Sequence, residues 1–179
     1  KGQISGSTKA FKLEQPLKAL HVVGAGNFAK TMLLPHLKEK VQFGSIINQT
    51  GLSAKHVKEK FGFQTAGTDA EQAFAQEGDG VLISTRHHLH APMVKSALQS
   101  HQHIFVEKPL CLTIEELSEI QTAVEASNGS VMVGFNRRYA PATVKMKEVL
   151  AQSPGSKSIS CHVFAGTLAP DHWYANFEQ

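Results

Sequence analysis

The sequence lacks the features that mark secreted, membrane-spanning and disulfide-stabilised proteins. It contains only two cysteines, Cys111 and Cys161, which cannot form a framework of spaced pairs. Residues 1–16 are polar and have no apolar core, so we expect no secretory signal there. No apolar run approaches the roughly 18 residues that a membrane span needs. These absences favour a reduced protein of the cytoplasm.

A strong excess of charge is absent as well. The formal net charge is only +3, with 10 histidines counted as neutral, and this balance gives no reason to expect a nucleic-acid or membrane partner. What the sequence does contain is an ordinary share of hydrophobic residues, 41%, which is typical of a globular domain. A length of 179 residues allows one large domain, or one domain and part of another.

Short apolar runs alternate with segments of helical periodicity along most of the chain. The apolar runs predict buried strands over residues 17–23, 41–48, 81–84, 103–107 and 131–134. The periodic segments predict helices over residues 28–40, 53–61, 68–76, 91–100, 114–127 and 142–152. Residues typical of helix ends support these bounds: Ser53, Thr68 with Glu71, Thr113 with Glu116, and Gly62. Pro35 predicts a kink or a break in the first helix.

The alternation of strands and helices predicts an α/β fold, a Rossmann-type doubly wound parallel sheet with right-handed crossovers. Residues 157–165 differ, because apolar and polar side chains alternate there with a period of two. This pattern is typical of a half-buried, usually antiparallel strand. We therefore predict three parts: a tail or linker over 1–16, a dinucleotide-binding domain over 17–152, and the incomplete start of an α/β substrate domain over 153–179. A strand without sheet partners exposes an edge, and such edges tend to pair with another chain. We therefore expect a homo-oligomer.

A glycine-rich turn, GAGNFA, joins the first strand to the first helix. Gly24 permits a tight turn, Gly26 lets the backbone approach a pyrophosphate, and Ala29 is small enough for the helix to approach the sheet. The following helix offers unpaired N–H groups to the phosphates. A purely structural turn also favours glycine, but the position after the first buried strand favours cofactor binding.

The residue that usually binds the adenosine ribose is missing. An acidic side chain is expected about 20 positions after the glycines, but the second strand ends in Asn-Gln-Thr-Gly. Asn48 or Thr50 could hydrogen-bond the ribose, and Lys55 with His56 could neutralise a 2′-phosphate. A solvated helix face accounts for those two side chains equally well. The choice between NAD and NADP therefore stays open.

Three histidines, His87, His88 and His90, follow the third long strand. They suggest a metal site, and hence a metal hydrolase as one hypothesis. No Cys, Asp or Glu close by completes a tetrahedral ligand set, and the HExxH spacing is absent, so we predict no metal. Helix capping by Thr85 or His88 is a second role for this segment. A third is the lining of the nicotinamide side of a dinucleotide pocket, because ligands collect at the carboxyl ends of parallel strands.

Two further groups end strands at the same edge of the sheet. Lys108 stands between Glu107 and Pro109, where its ammonium could orient a substrate hydroxyl and favour the alkoxide-like charge that develops as hydride leaves. A plain surface ion pair is the alternative. Arg137 and the arginine after it could bind phosphate or carboxylate bidentately, or could merely flank a helix.

These motifs together resemble the glucose–fructose oxidoreductase/inositol dehydrogenase family (Gfo/Idh/MocA). The resemblance spans residues 18–173 and rests on four strings in order: GAGNFA, VLISTRHHLHAPMVKSAL, HIFVEKPLCLT and VGFNRRYAP. The EKP element behind TRHHLH is the most specific. The strings GFNRRYAP and AGTLAPDHW look most like the dehydrogenase half of two-part bacterial oxidoreductases. The resemblance implies an N-terminal Rossmann domain, a C-terminal domain on an open antiparallel sheet, and NAD(P)-dependent hydride transfer on sugars, polyols or nucleotide-linked sugars.

The resemblance also implies roles for individual residues, with Lys108 as the catalytic or orienting lysine. Together with the ribose prediction for Asn48, the predicted cofactor contacts are Gly24, Gly26, Asn27, Phe28, Ala29, Asn48, Thr85, Arg86, His87, His90, Glu107, Lys108, Pro109 and Asn136. The predicted substrate contacts are Lys108, Asn136 and Arg137.

Two departures from the family pattern affect the functional prediction. The family often has Pro-Asn where this chain has Arg86-His87, which alters the expected shape of the pocket. The family's histidine motif of the C-terminal domain is not matched by His162 or His172, so we predict a truncated chain that is inactive alone. The main hypothesis is an NAD(P)-dependent oxidoreductase of a small sugar-like substrate, and the alternative is a non-catalytic nucleotide-binding module.

Overall fold

The computed structural model describes residues 16–75, 79–162 and 166–167. Its strands are β1 (Leu20–Val23), β2 (Phe43–Ile47), β3 (Thr65–Gly67), β4 (Gly80–Ile83), β5 (His103–Val106) and β6 (Ser130–Val133). Its α-helices are α1 (Leu34–Leu37), α2 (Gly51–Phe61), α3 (Glu71–Phe74), α4 (His90–Gln99), α5 (Ile114–Glu125) and α6 (Pro141–Ala151). A π-helical turn covers Ala29–Leu33, and 3₁₀ turns cover His87–Leu89 and Asn136–Tyr139.

All six strands are parallel and follow the order β3-β2-β1-β4-β5-β6. This order is that of a doubly wound Rossmann sheet, so the predicted fold class is confirmed. The chain leaves β1 towards β2 on one side and enters β4 on the other, where Val23 pairs with Ile83. The point of reversal opens a crevice at the carboxyl ends of β1 and β4.

The central strands are buried on both faces, which explains their uninterrupted apolar sequences. Every residue of β1, β2 and β4 is buried. One apolar cluster packs on each face of the sheet: Val94 and Leu98 of α4 belong to the first cluster, and Val57 and Phe61 of α2 belong to the second. The helices therefore cover the sheet from both sides and leave the carboxyl edge open.

Two of the predicted helix ends are confirmed, and one predicted cap is wrong. Thr113 and Glu116 form the predicted capping box, with a distance of 3.1 Å from the Glu116 N–H to the Thr113 hydroxyl. Gly62 ends α2 in a left-handed conformation, with φ of 83°. The cap of α2, however, is Thr50, whose hydroxyl accepts a hydrogen bond from the Ser53 N–H. The prediction that Ser53 caps this helix was therefore wrong.

The polar segments around two other elements differ from the prediction. The predicted box of Thr68 and Glu71 does not form, because the Asp69 carboxylate accepts the Glu71 N–H at 3.1 Å instead. Strand β3 was not predicted, since it is short and its first two residues are exposed. The first helix is interrupted near Pro35, as expected, by the change from a π-helical turn to α1.

The predicted strand over residues 157–165 is not formed in its described part. Residues 157–162 are exposed and have neither helix nor strand, whereas residues 163–165 lie outside the described residues. No described strand offers this segment a partner, and a strand needs backbone partners to form. The boundary at residue 152, the homo-oligomer and the cytoplasmic location stay predictions, and residues 1–15 and 168–179 lie outside the described residues.

A buried polar network joins β1, β2 and the residue that precedes β4. The Nδ1 atom of His21 lies 2.7 Å from the Ser45 hydroxyl oxygen, and its Nε2 atom lies 3.3 Å from an Asp79 carboxylate oxygen. Gly44 packs against the imidazole so closely that a Cβ atom there would lie 2.6 Å from Cε1 of His21. The network therefore depends on glycine at this position.

We expect Gly44→Ala to lower the free energy of unfolding by about 1–3 kcal/mol, because overpacking must displace the buried ring. Gly51→Ala is the matched control, since a Cβ atom at Gly51 meets nothing within 4 Å. Urea denaturation of both variants measures the difference. Equal stability of the two variants would contradict the packing argument.

Candidate functional site

An open cleft of about 1130 Å³ lies at the carboxyl edge of the sheet. Most of the predicted site residues line it: Gly24, Gly26, Asn27, Phe28, Asn48, Thr85, Arg86, His87, His90, Glu107, Lys108, Asn136 and Arg137. Ala29 and Pro109 are not among the lining residues. The carboxyl ends of neighbouring parallel strands meet at one edge, which explains why groups far apart in the sequence converge here.

The glycine-rich turn is shaped by close packing against the end of β4. Gly24 has φ of 87°, and a Cβ atom there would lie 2.6 Å from the Thr85 methyl and 2.9 Å from backbone atoms of Ser84. Ser84 also donates its hydroxyl to the Gly24 carbonyl oxygen at 2.5 Å. Gly26, by contrast, has no atom within 4 Å of the corresponding position. Ala29 is buried beneath the turn, so it packs the helix onto the sheet and does not face the cleft.

Asn48 holds the glycine-rich turn from the side. Its carbonyl oxygen accepts the Ala25 N–H at 2.6 Å, and its amide nitrogen donates to the Ser53 hydroxyl at 3.0 Å. The side chain thereby ties the turn to the start of α2. Both of its polar atoms have partners in the protein, and the predicted hydrogen bond to a ribose stays a prediction.

The described residues that line the cleft beside Asn48, the residue predicted to bind the adenosine ribose, include no carboxylate. The described lining residues at this end include Gln49, Thr50, Ser53 and Thr68, which are neutral. Lys55 and His56 are exposed on α2 and do not belong to the described lining. The start of α2 faces this end and contributes the partial positive charge of a helix N-terminus.

Glu107 is a buried carboxyl group at the opposite end of the cleft. It is only 8% exposed, and its Oε1 atom has no hydrogen-bond partner among the described residues. A Cβ atom at Gly134 would lie 2.9 Å from that oxygen. Burial raises the pKa of Glu107, while a backbone hydrogen bond from Lys108 and the charges of Lys108 and His90 act in the opposite direction.

Lys108 follows Glu107 and lies exposed on the cleft wall. The peptide bond between Lys108 and Pro109 is cis. His87 lies nearby, and its pKa is lowered first by burial and then by the charges of His90, Lys108 and His88. This end of the cleft therefore combines several cationic groups with one buried carboxyl.

His90 is fully buried, unlike its neighbours in the turn. Its Nδ1 atom lies 2.6 Å from the Pro109 carbonyl oxygen, and its Nε2 atom lies 3.2 Å from the Thr85 carbonyl oxygen. The His87 and His90 rings meet edge to face, with centroids 5.9 Å apart. Within the described residues, no three His, Cys, Asp or Glu side chains are grouped to hold a metal ion, so the metal-hydrolase hypothesis gains no ligand set.

The two arginines after β6 have different surroundings. Arg137 lines the cleft together with Asn136. The Arg138 guanidinium lies 5.9 Å from the Phe135 ring centroid and 5.8 Å from that of Tyr139, and its Nε donates to the Phe135 carbonyl oxygen. Arg137 of this pair therefore lines the cleft, and Arg138 is not among the described lining residues.

A sequence model of the family GFO_IDH_MocA, an oxidoreductase family with an NAD-binding Rossmann fold, matches residues 18–135. The chain belongs to this family. Its NAD(P)-binding Rossmann domain thus accounts for the strand order and for the glycine-rich turn. Within the described residues, no helix is long and apolar enough to cross a bilayer.

Curated relatives in the family include sugar and inositol enzymes. The chain is 25% identical over 157 residues to 1,5-anhydro-D-fructose reductase of Ensifer adhaerens, covering 84% of this chain and 46% of the relative. It is 33% identical over 95 residues to scyllo-inositol 2-dehydrogenase (NAD(+)) of Bacillus subtilis (strain 168), covering 52% of this chain and 28% of the relative. The chain spans less than half the length of these curated relatives.

Solved structures share the fold. A 3-ketoreductase from Actinomadura kijaniata, in complex with NADP and TDP-benzene, superposes with a TM-score of 0.69 at 20% identity, over 77% of this chain and 44% of that one. The apo scyllo-inositol dehydrogenase from Lactobacillus casei gives a TM-score of 0.70 at 22% identity, over 78% of this chain and 43% of that one. At these identities the likeness establishes the fold alone.

The site also contains residues that sequence reasoning missed. They include the lining residues Gln49, Ser53, Thr68, Ala70, Ser84 and Met93. Ser84 comes directly after β4, and Gln49 is the second residue after β2, positions that could have identified them. Met93 lies one turn into α4, and its sulfur is 3.7 Å from the Thr85 hydroxyl. No motif marks it in the sequence.

The two turn glycines are expected to respond differently to alanine. Gly24→Ala should destabilise the fold, because a left-handed backbone costs about 1–2 kcal/mol and the Cβ atom meets backbone. Gly26→Ala should preserve stability and weaken NADPH or NADH binding by about tenfold or more, a loss of about 1.4 kcal/mol. Urea denaturation and nucleotide fluorescence titration separate the two effects. Unchanged nucleotide affinity in Gly26→Ala would count against a pyrophosphate at this position.

Asn48→Asp is expected to shift the preference from NADP(H) towards NAD(H) by about tenfold, because a carboxylate repels a 2′-phosphate and accepts from ribose hydroxyls. The new side chain keeps an acceptor for the Ala25 N–H. The measured quantity is the ratio of the dissociation constants for NADP(H) and NAD(H). General damage to the turn weakens the binding of both cofactors and therefore cancels in this ratio. An unchanged ratio would place the ribose elsewhere.

Proposed function

We propose that this chain is the cofactor-binding part of an oxidoreductase that transfers hydride between a nicotinamide and a hydroxyl-bearing carbon of a sugar, polyol or nucleotide-sugar-like substrate. The observation that carries the proposal is that one cleft extends from Gly24 and Gly26 to Lys108. The glycine-rich turn, where a pyrophosphate would approach, and the Lys108 cation thereby line a single cleft. The names of the relatives, which include reductases and dehydrogenases of sugars and inositols, support this substrate class.

The shape of the cleft fits a dinucleotide. The open space beside Gly26 permits a pyrophosphate to approach the backbone, which any larger side chain would hinder. Gly24 and Asn48 hold the turn in the required shape. Arg86, His87 and Glu107 line the far end, where the nicotinamide ribose would lie. The nicotinamide supplies the hydride acceptor or donor when it is bound.

Lys108 would act on the reacting hydroxyl. Its ammonium carries three donors and a full charge, so it would orient the substrate oxygen and stabilise the negative charge that develops there. Asn136 and Arg137, on the turn after β6, line the same cleft and would bind further oxygens of the substrate. We also propose that a histidine elsewhere in the full-length protein accepts the proton, so that the 179 residues alone bind cofactor but turn over poorly.

Lys108→Met in the full-length protein tests the role of the lysine. We expect kcat to fall by about 100-fold or more, as on loss of one donor to a developing oxyanion, with little change in NAD(P)H affinity. The assay follows NAD(P)H absorbance with myo-inositol, scyllo-inositol and 1,5-anhydro-D-fructose as probes. Lys145→Met is the control, because Lys145 is exposed on α6 and pairs with Glu148.

The same experiment distinguishes the proposed oxidoreductase from the non-catalytic alternative. Cofactor binding with no wild-type turnover, or with turnover that Lys108→Met leaves unchanged, would favour a nucleotide-binding module. Rapid turnover by the isolated 179 residues would contradict the proposal that a proton acceptor lies elsewhere.

A further inference from the structure

We propose that His90 positions Lys108, by donating a ring N–H group to the Pro109 carbonyl while its ring is buried between the two loops that carry Thr85 and Pro109. The role differs from the cofactor contact expected from the sequence. It rests on the proposed function, because the reaction assigned to Lys108 supplies its kinetic consequence. The hydrogen bonding of the ring can be tested without that reaction.

The two loops follow neighbouring strands of the sheet. Thr85 comes after β4 and Pro109 comes after β5, and these strands pair from Gly80 with His103 to Ile83 with Val106. His90 is the first residue of α4 and is 0% exposed. Its ring bridges the two carbonyl oxygens, at 2.6 Å to Pro109 and 3.2 Å to Thr85. One side chain therefore fixes the distance between two strand ends.

The chemistry of the two partners determines the protons on the ring. A backbone carbonyl can only accept a hydrogen bond, and a neutral imidazole has only one N–H. The shorter contact, at 2.6 Å, assigns that proton to Nδ1 and makes the Pro109 carbonyl its acceptor. The Nε2 atom lies 3.2 Å from the Thr85 carbonyl oxygen, so the ring also packs against the loop after β4.

The anchored atoms connect the lysine with the glycine-rich turn. Pro109 is bonded directly to Lys108, so a fixed Pro109 carbonyl restricts the backbone that carries the ammonium. On the other side, Thr85 packs against Gly24, where a Cβ atom would lie 2.6 Å from the Thr85 methyl. His90 therefore sets Lys108 relative to the cofactor turn without touching substrate, and it is a positioning residue.

Three substitutions in the full-length protein test this role. His90→Asn retains a donor near the Nδ1 position, His90→Gln retains one near the Nε2 position, and His90→Leu retains neither. We expect His90→Leu to lose about 10- to 100-fold in kcat, because small displacements of a reacting group have effects of this size. His90→Asn should recover most of the loss, since it keeps the shorter bond to Pro109. KM for NAD(P)H should change little.

Controls separate positioning from general damage. Urea denaturation shows whether each variant is folded at the assay temperature, and His36→Asn, on the exposed surface of α1, is the matched histidine control. Equal kcat for His90→Leu and the wild type would overturn the proposal. Equal losses in His90→Asn and His90→Leu would also overturn it, because the donor at Nδ1 would then not matter.

Nitrogen-15 NMR of the ring gives an answer that needs neither cofactor nor turnover. We expect a proton on Nδ1 of His90 in the wild type, with a coupling across the hydrogen bond to the Pro109 carbonyl carbon. An unprotonated Nδ1 would overturn the proposal. A wild type that neither binds nor turns over NAD(P)H would instead overturn the proposed function, and the ring signals would still decide the hydrogen bonding of His90.

Discussion

The close approach of Gly24 to the end of β4 is the constraint on which the rest of the cleft depends. The backbone of Ser84 and the methyl of Thr85 occupy the space that any Cβ atom at Gly24 would need, and the Ser84 hydroxyl bonds the Gly24 carbonyl oxygen. Because the chain turns to opposite sides of the sheet after β1 and after β4, this junction is also where the crevice opens. The glycine-rich turn lies on one side of it, and the strand end that leads to His90 lies on the other.

The sequence was most informative where burial on both faces leaves a continuous apolar run. Strands β1, β2 and β4 are of this kind, and the strand ends that they define located the cleft before any contact was known. Strand β3 was not predicted, because Thr65, Ala66 and Gly67 form a short edge strand with little apolar character. Residues 157–162 show the opposite error, since alternation in sequence cannot create a strand without a neighbouring backbone to pair with.

Within the site, the sequence located the lining residues better than it identified their hydrogen-bond partners. Asn48 and His90 are predicted to touch the cofactor, and both line the cleft. The structure adds protein partners that the sequence did not indicate: Asn48 is bonded to Ala25 and Ser53, and the His90 ring lies between the carbonyls of Thr85 and Pro109. Such partners come from other loops, and only the tertiary fold determines their distances.

The buried network of His21, Ser45 and Asp79 has a consequence for how this sequence can change. It ties β1, β2 and the residue before β4 together, and none of its three residues lines the cleft at the carboxyl edge. Cohesion of the sheet and the lining of the cleft are thus assigned to different residues. Loops at the carboxyl edge can therefore exchange side chains over evolutionary time while the network keeps the strands in register, which is a physical route to new substrates on an old scaffold.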